Sequence, residues 1–109
     1  LTPQDLEWLK KLETILTENL SDKTYKISDT AREMNISYRR LHQKIKENTG
    51  LTPKQYQRSI KLAKARSLLK SGQVATLQEV IYAVGMDNYS YFSKLYTEEF
   101  GIKPIDELK

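Results

Sequence analysis

The sequence predicts an all-α fold of about seven helices, and three observations predict it. Apolar residues recur at three- and four-residue spacing along most of the chain. The 4 Gly and 3 Pro sit almost entirely where those periodic runs start or stop. No segment reads as a strand: Tyr25 to Ile27 is too short, and Gln73 to Leu77 is bounded by Gly72 and a cap at Thr76. A chain of 109 residues that is 39% hydrophobic fits one ordinary domain and not a disordered tail.

The elements follow in order. Thr2-Pro3 is a cap followed by Pro at the first helical position, and it opens a helix over about 4–19. Its stripe is Leu6, Leu9, Leu12, Ile15, Leu16 and Leu20; Trp8 lies off the centre and is expected to pack at the edge. Ser21-Asp22-Lys23 breaks the pattern. Ser28 reads as the cap of a short helix over about 28–34, which Asn35 closes in the left-handed conformation. Ser37 opens a helix over about 37–48 that ends near Gly50. Thr52-Pro53 caps a long helix over about 53–70, with Tyr56, Ile60, Leu62, Ala63, Ala65, Leu68 and Leu69 as its apolar set. All its charged residues are basic, and Ser71-Gly72 stops it. Thr76 caps a helix over about 76–84, closed by Gly85. Asp87 or Asn88 caps another over about 88–99, closed by Gly101. Lys103-Pro104 starts a last short turn.

The sequence also repeats itself. Ile27, Ala31, Asn35 and Ile36 match Leu77, Ile81, Gly85 and Met86 at an offset of 50, and Leu41, Ile45, Gly50, Leu51 and Pro53 match Phe92, Tyr96, Gly101, Ile102 and Pro104 at an offset of 51. The change of one falls in the turn at Asp87-Asn88, where an extra residue is tolerated. Each copy has helix-turn-helix grammar. A first helix carries a small residue at Ala31 in the first copy. A residue able to take positive φ follows at Asn35 or Gly85, and a capped second helix buries one apolar stripe.

Charge is distributed unevenly. Residues 37–72 hold ten basic side chains and one acidic one, whereas residues 1–36 and 73–109 are both net acidic; the whole chain is +4. A solvated helix face explains such a run, and so does a footprint for a polyanion. Enzyme classes find no support. There is one His, no Cys and no glycine-rich loop, and the acids read as scattered on solvent faces, so no catalytic residue, metal site or cofactor is expected. No run approaches the roughly 18–20 apolar residues of a membrane span. Residue 1 is Leu with no signal pattern after it, and the terminal Asp106-Glu107-Leu108-Lys109 is not a retention signal. The expectation is a piece of a longer cytoplasmic protein.

With the repeat and the basic helix in place, the sequence resembles the DNA-binding domain of the AraC/XylS family of bacterial transcription regulators, over about residues 15–109. The most specific stretch carries Lys61-Leu62, Ala65, Leu69, Val80, Gly85-Met86, Tyr91-Phe92, Tyr96, Gly101 and Pro104; the first repeat adds Ser37, Leu41, Ile45, Gly50, Thr52-Pro53 and Tyr56. The resemblance implies a homeodomain-like tandem: two helix-turn-helix units (about 28–48 and 76–99) joined by a long linker helix (about 53–70), with their second helices entering successive major grooves. A linker of about 18 residues spans roughly 27 Å, against about 34 Å between such grooves. Four departures stand out. Ile81 replaces a usual Ala, which predicts a slightly open second corner, and Met86 replaces a usual Phe. Lys61 replaces a frequent Arg, and Leu108-Lys109 ends the chain where an aromatic and Arg are common. The stretch Asn19 to Asp22 after the first helix resembles hybrid two-component regulators, implying a sensor and receiver region upstream.

The candidate site follows from helix faces. In the first recognition helix Leu41 and Ile45, with Tyr38 in part, face the core, so Arg39, Arg40, His42, Gln43 and Lys46 face out. Arg suits guanine and Gln suits adenine. By resemblance Arg39, His42 and Gln43 occupy base-reading positions, while Arg40 and Lys46 are better placed for phosphate. A surface His without a role is the alternative at His42. In the second recognition helix Phe92, Leu95 and Tyr96 point inward, and Tyr89, Ser90, Ser93, Lys94 and Thr97 point out; Tyr89, Ser90, Ser93 and Lys94 are the base-reading set. Tyr91 either packs beside Phe92 or faces out. Lys54 and Arg58 of the linker are phosphate candidates, as are the free N–H groups near Thr76 and Thr52, with ordinary capping the alternative. The first unit is expected to dominate affinity. The partner is double-stranded DNA, with RNA polymerase as a second partner for the acidic ends. The competing class is a protein-interaction module with little DNA affinity.

Overall fold

The computed structural model describes residues 1–108; Lys109 and its expected departure from the family pattern lie outside the described residues. Those residues form seven α-helices and no strand. They are α1 (Pro3–Glu18), α2 (Ile27–Glu33), α3 (Tyr38–Thr49), α4 (Pro53–Ser71), α5 (Leu77–Ala83), α6 (Tyr89–Phe100) and α7 (Pro104–Glu107).

The helix starts are set by local chemistry. At α1 the Thr2 hydroxyl accepts from the Asp5 N–H, and the Asp5 carboxylate accepts from the Thr2 N–H, both at 3.1 Å. This reciprocal pair satisfies two of the donors that a helix end leaves open. The same pair recurs at α4, between Thr52 and Gln55. The start of α2 differs from expectation. Ser28 lies inside the helix and Lys26 occupies the cap position. Lys26 has no side-chain acceptor, so the box is half made: the Asp29 carboxylate accepts from the Lys26 N–H at 2.8 Å. The helix starts early because that places Ile27, only 5% exposed, in the core. At α6 the cap is Asn88 and not Asp87, its Oδ1 accepting from the Tyr91 N–H at 2.8 Å.

The chain forms two compact units. Residues 1–19 and 24–60 make the first, and residues 20–23 and 61–108 lie in the second. The first core is Leu12 and Leu16 of α1, Ile27 and Ala31 of α2, Met34, and Leu41 and Ile45 of α3, with Trp8, Tyr25, Tyr56 and Ile60 at its border. The second is built from Leu62, Ala65 and Leu69 of α4, Leu77, Val80 and Ile81 of α5, Val84, and Phe92, Leu95 and Tyr96 of α6. Two expected core residues lie outside. Leu6 is 55% exposed, since the packed stripe of α1 begins a turn later, and Ala63 is exposed on the outer face of α4.

The two corners close alike. Ile36 N–H reaches the Ala31 carbonyl at 3.1 Å, and Met86 N–H reaches the Ile81 carbonyl at 3.0 Å. Asn35 to Arg32 (3.1 Å) is matched by Gly85 to Tyr82 (3.0 Å). Ile81 therefore does not open the second corner: its side chain is fully buried within its own unit and leaves the turn unchanged. The left-handed residue is Asn35 (φ 57°) in one copy and Gly85 (φ 74°) in the other. At Gly85 a Cβ would stand 2.2 Å from the Leu20 carbonyl oxygen, so that position demands glycine twice over.

Candidate nucleic-acid interface

Helix α3 is anchored by Leu41 and Ile45, both fully buried, and starts at Ser37, whose hydroxyl accepts from the Arg40 N–H at 3.1 Å. Its other face carries Arg39, Arg40, His42, Gln43 and Lys46, all exposed. Among the described residues, none of these cations is held in an ion pair. An uncompensated cluster of guanidinium and ammonium groups beside amide and imidazole donors is suited to phosphate and base edges. Tyr38 is 41% exposed and stands edge-on to His42, with ring centroids 6.4 Å apart, so it belongs more to this face than to the core. Lys44, on the same helix, turns away: its Nζ lies 4.6 Å from the centre of the half-buried Trp8 ring, a cation–π contact within the first unit.

Helix α6 is anchored by Phe92, Leu95 and Tyr96, with Tyr96 also against Phe100 at 4.7 Å. Tyr89, Ser90 and Lys94 are exposed. Ser93 and Thr97 are half-buried, and the Thr97 hydroxyl is committed to the Ser93 carbonyl at 2.8 Å. Of the two readings of Tyr91, the outward one holds: it is 49% exposed, matching Tyr89 at 50%, and Phe92 stacks on Tyr96 instead. Lys94 is the only cation on this helix.

The linker is not a uniform basic surface. Lys54 and Lys64 are exposed, Arg58 and Lys61 half-buried, and burial lowers the Lys61 ammonium pKa below its ordinary value. Arg66 is bound to Glu107, Nε at 3.2 Å and Nη2 at 3.0 Å from Oε1, and Lys70 stands 4.0 Å from the same oxygen. Glu107 corrects the expectation of acids scattered on solvent faces: its side chain is 6% exposed. The Tyr96 hydroxyl donates to its other oxygen. That bond, and then Arg66, hold the Glu107 carboxyl below the usual carboxylate range. Glu107 and Lys44 are the residues whose roles the sequence did not signal, because each depends on a partner distant along the chain, Arg66 for one and Trp8 for the other. Thr76 is exposed, but its hydroxyl accepts from the Glu79 N–H at 3.2 Å, and the Glu79 carboxylate already occupies the first turn of α5.

Among the described residues no helix is long and apolar enough to cross a membrane, and no group of three His, Cys, Asp or Glu could hold a metal ion.

Two copies of one corner, each presenting a capped helix over an apolar anchor, define a tandem helix-turn-helix module. A family model described as a helix-turn-helix domain matches residues 30–109. The chain belongs to this helix-turn-helix family, in the AraC/XylS type of DNA-binding domain. The HTH-type transcriptional activator RhaS of Escherichia coli strain SE11 is 37% identical over 76 residues, 70% of this chain and 27% of the relative. The chain thus spans about a quarter of the length of the curated relatives it matches. The fold is shared with an AraC-type transcriptional regulator from Chromobacterium violaceum, with a TM-score of 0.86, 24% identity, and coverage of 97% of this chain and 93% of that one. It is also shared with the C-terminal domain of the two-component response regulator yesN from Fusobacterium nucleatum, with a TM-score of 0.76, 20% identity, and coverage of 94% and 99%.

Proposed function

We propose that this chain reads double-stranded DNA in a sequence-specific way through two unequal recognition helices and thereby regulates transcription, without catalysis. One observation carries the inequality. The outer face of α3 holds exposed cations free of ion pairs among the described residues, and α6 offers hydroxyls, tyrosine rings and one lysine. The first unit then supplies most of the affinity, with Arg39, His42 and Gln43 at base edges and Arg40, Lys46, Lys54 and Arg58 at phosphates. The second refines the site with Tyr89, Ser90, Ser93 and Lys94. At the start of α5, near Thr76, a phosphate contact competes with Glu79. RNA polymerase is the second partner in this reading, an effector or receiver region lies upstream in the full protein, and the compartment is the cytoplasm.

The test is selection of bound sites from a random duplex library, followed by binding of Arg39→Ala and Tyr89→Ala to the selected duplex. Loss of one guanine contact predicts an affinity drop of about tenfold or more, with a smaller drop for Tyr89→Ala. An equal or larger loss at Tyr89 would overturn the asymmetry. No binding of random duplex by micromolar protein at low salt would favour a protein-interaction module instead.

A further inference from the structure

The last helix has only four residues, and its cap, Lys103, supplies no side-chain capping hydrogen bond. A helix this short has no stability of its own, so its position reports what anchors it. Besides the buried Pro104, the polar anchor is Glu107. A carboxylate buried this far is costly unless its oxygens are bonded, and both are. Oε1 takes the Arg66 guanidinium and faces Lys70, while Oε2 takes the Tyr96 hydroxyl. The Arg66 guanidinium also lies 4.7 Å over the Phe100 ring, which fixes its plane. Tyr96 is fully buried and sits on α6, one turn beyond Phe92 on the same face. A bond to its hydroxyl therefore fixes the rotation of α6 about its own axis, and with it the direction in which Tyr89 and Ser93 project.

We propose that Glu107 is a positioning residue for the second recognition helix, acting through Tyr96, and that it withdraws Arg66 from phosphate neutralisation by pairing with it. The proposal rests on the DNA-reading function above. It makes Glu107 a specificity device: it holds the reading face in register and suppresses a charge that would strengthen binding to any sequence. It also leaves the second unit short of free cations, in keeping with the weaker role assigned to it.

The experiment uses the whole chain, the duplex it selects from a random library, and an unselected random duplex. Affinities are measured against salt concentration at a temperature where circular dichroism shows each variant fully helical. Glu107→Gln is expected to weaken selected-duplex binding and strengthen random-duplex binding, lowering their ratio by at least about fivefold. It should also steepen the salt slope by about one. Arg66→Gln alone should leave the slope unchanged, and the same substitution in the Glu107→Gln background should restore it. Tyr96→Phe should lower the ratio without changing the slope. A merely structural role would weaken both duplexes together, and that result would overturn the proposal. So would a shallower slope for Arg66→Gln alone. If the parent bound no duplex, both this proposal and the DNA-reading function would fall; parent binding with an unchanged ratio in Glu107→Gln and Tyr96→Phe would sink this one only.

Discussion

At the residue scale, equivalent positions of the two repeats carry different demands. Asn35 and Gly85 both hold positive φ, but only Gly85 also has a carbonyl oxygen where its Cβ would be. Gly101, also at positive φ, has open space around it. Gly101→Ala is expected to cost about 1 kcal/mol through backbone strain alone, and Gly85→Ala more than about 2 kcal/mol because the Leu20 segment must shift as well. Urea unfolding of the two variants compares these costs directly, and equal midpoints would refute the close approach. Glu107 gives a pH prediction. Its proton affinity is lowered on folding, so its contribution is present above its ordinary value of 4.5 and is lost as pH falls through the lower folded value. The stability gap between the parent and Glu107→Gln should therefore be widest near neutrality and shrink on acidification, as thermal melts from about pH 7 to about pH 3 would show.

At the element scale, caps and flanking contacts set how each recognition helix is presented. Asn88 is exposed, so its capping bond can be altered without touching the core. Asn88→Ala should cost about 1 kcal/mol. Asn88→Asp should fold as well as the parent, since Asp caps equally and suits the helix N-terminus, yet bind duplex more weakly because it adds an anion to the reading face. Unfolding and fluorescence anisotropy together separate these outcomes; undiminished binding by Asn88→Asp would place that end of α6 away from DNA. In the first unit, Lys44 over Trp8 ties α3 to α1. Lys44→Met should lower stability by roughly 0.5–1 kcal/mol and shift the emission of the sole tryptophan, leaving the salt slope of binding unchanged. A shallower slope would mean that Lys44 contacts phosphate.

At the scale of the whole molecule, the formal charge of +4 conceals which cations are free. Arg40, Lys46, Lys54 and Arg58, the four assigned to phosphate, lie outside any ion pair among the described residues, whereas Arg66 is paired with Glu107. Four such contacts at ~0.9 each predict a slope of log affinity against log salt of about −3 to −4, and a flat titration would exclude DNA as the ligand. Much of the architecture is legible in the sequence. The helical period, the caps at Thr2, Ser37, Thr52 and Thr76, the left-handed Asn35 and the duplicated corner all depend on residues within a few positions of one another. Physics that local can be read along the chain. What the sequence determined by itself was therefore the all-α class, the tandem corners and the outward face of α3. The tertiary structure alone decided that Leu6 stays in solvent, that Lys44 turns to Trp8, and that Arg66 is neutralised by a carboxylate 41 residues away. Those outcomes depend on which groups the folded chain brings within a few ångströms, and on the cost of burying a charge, neither of which a linear pattern contains.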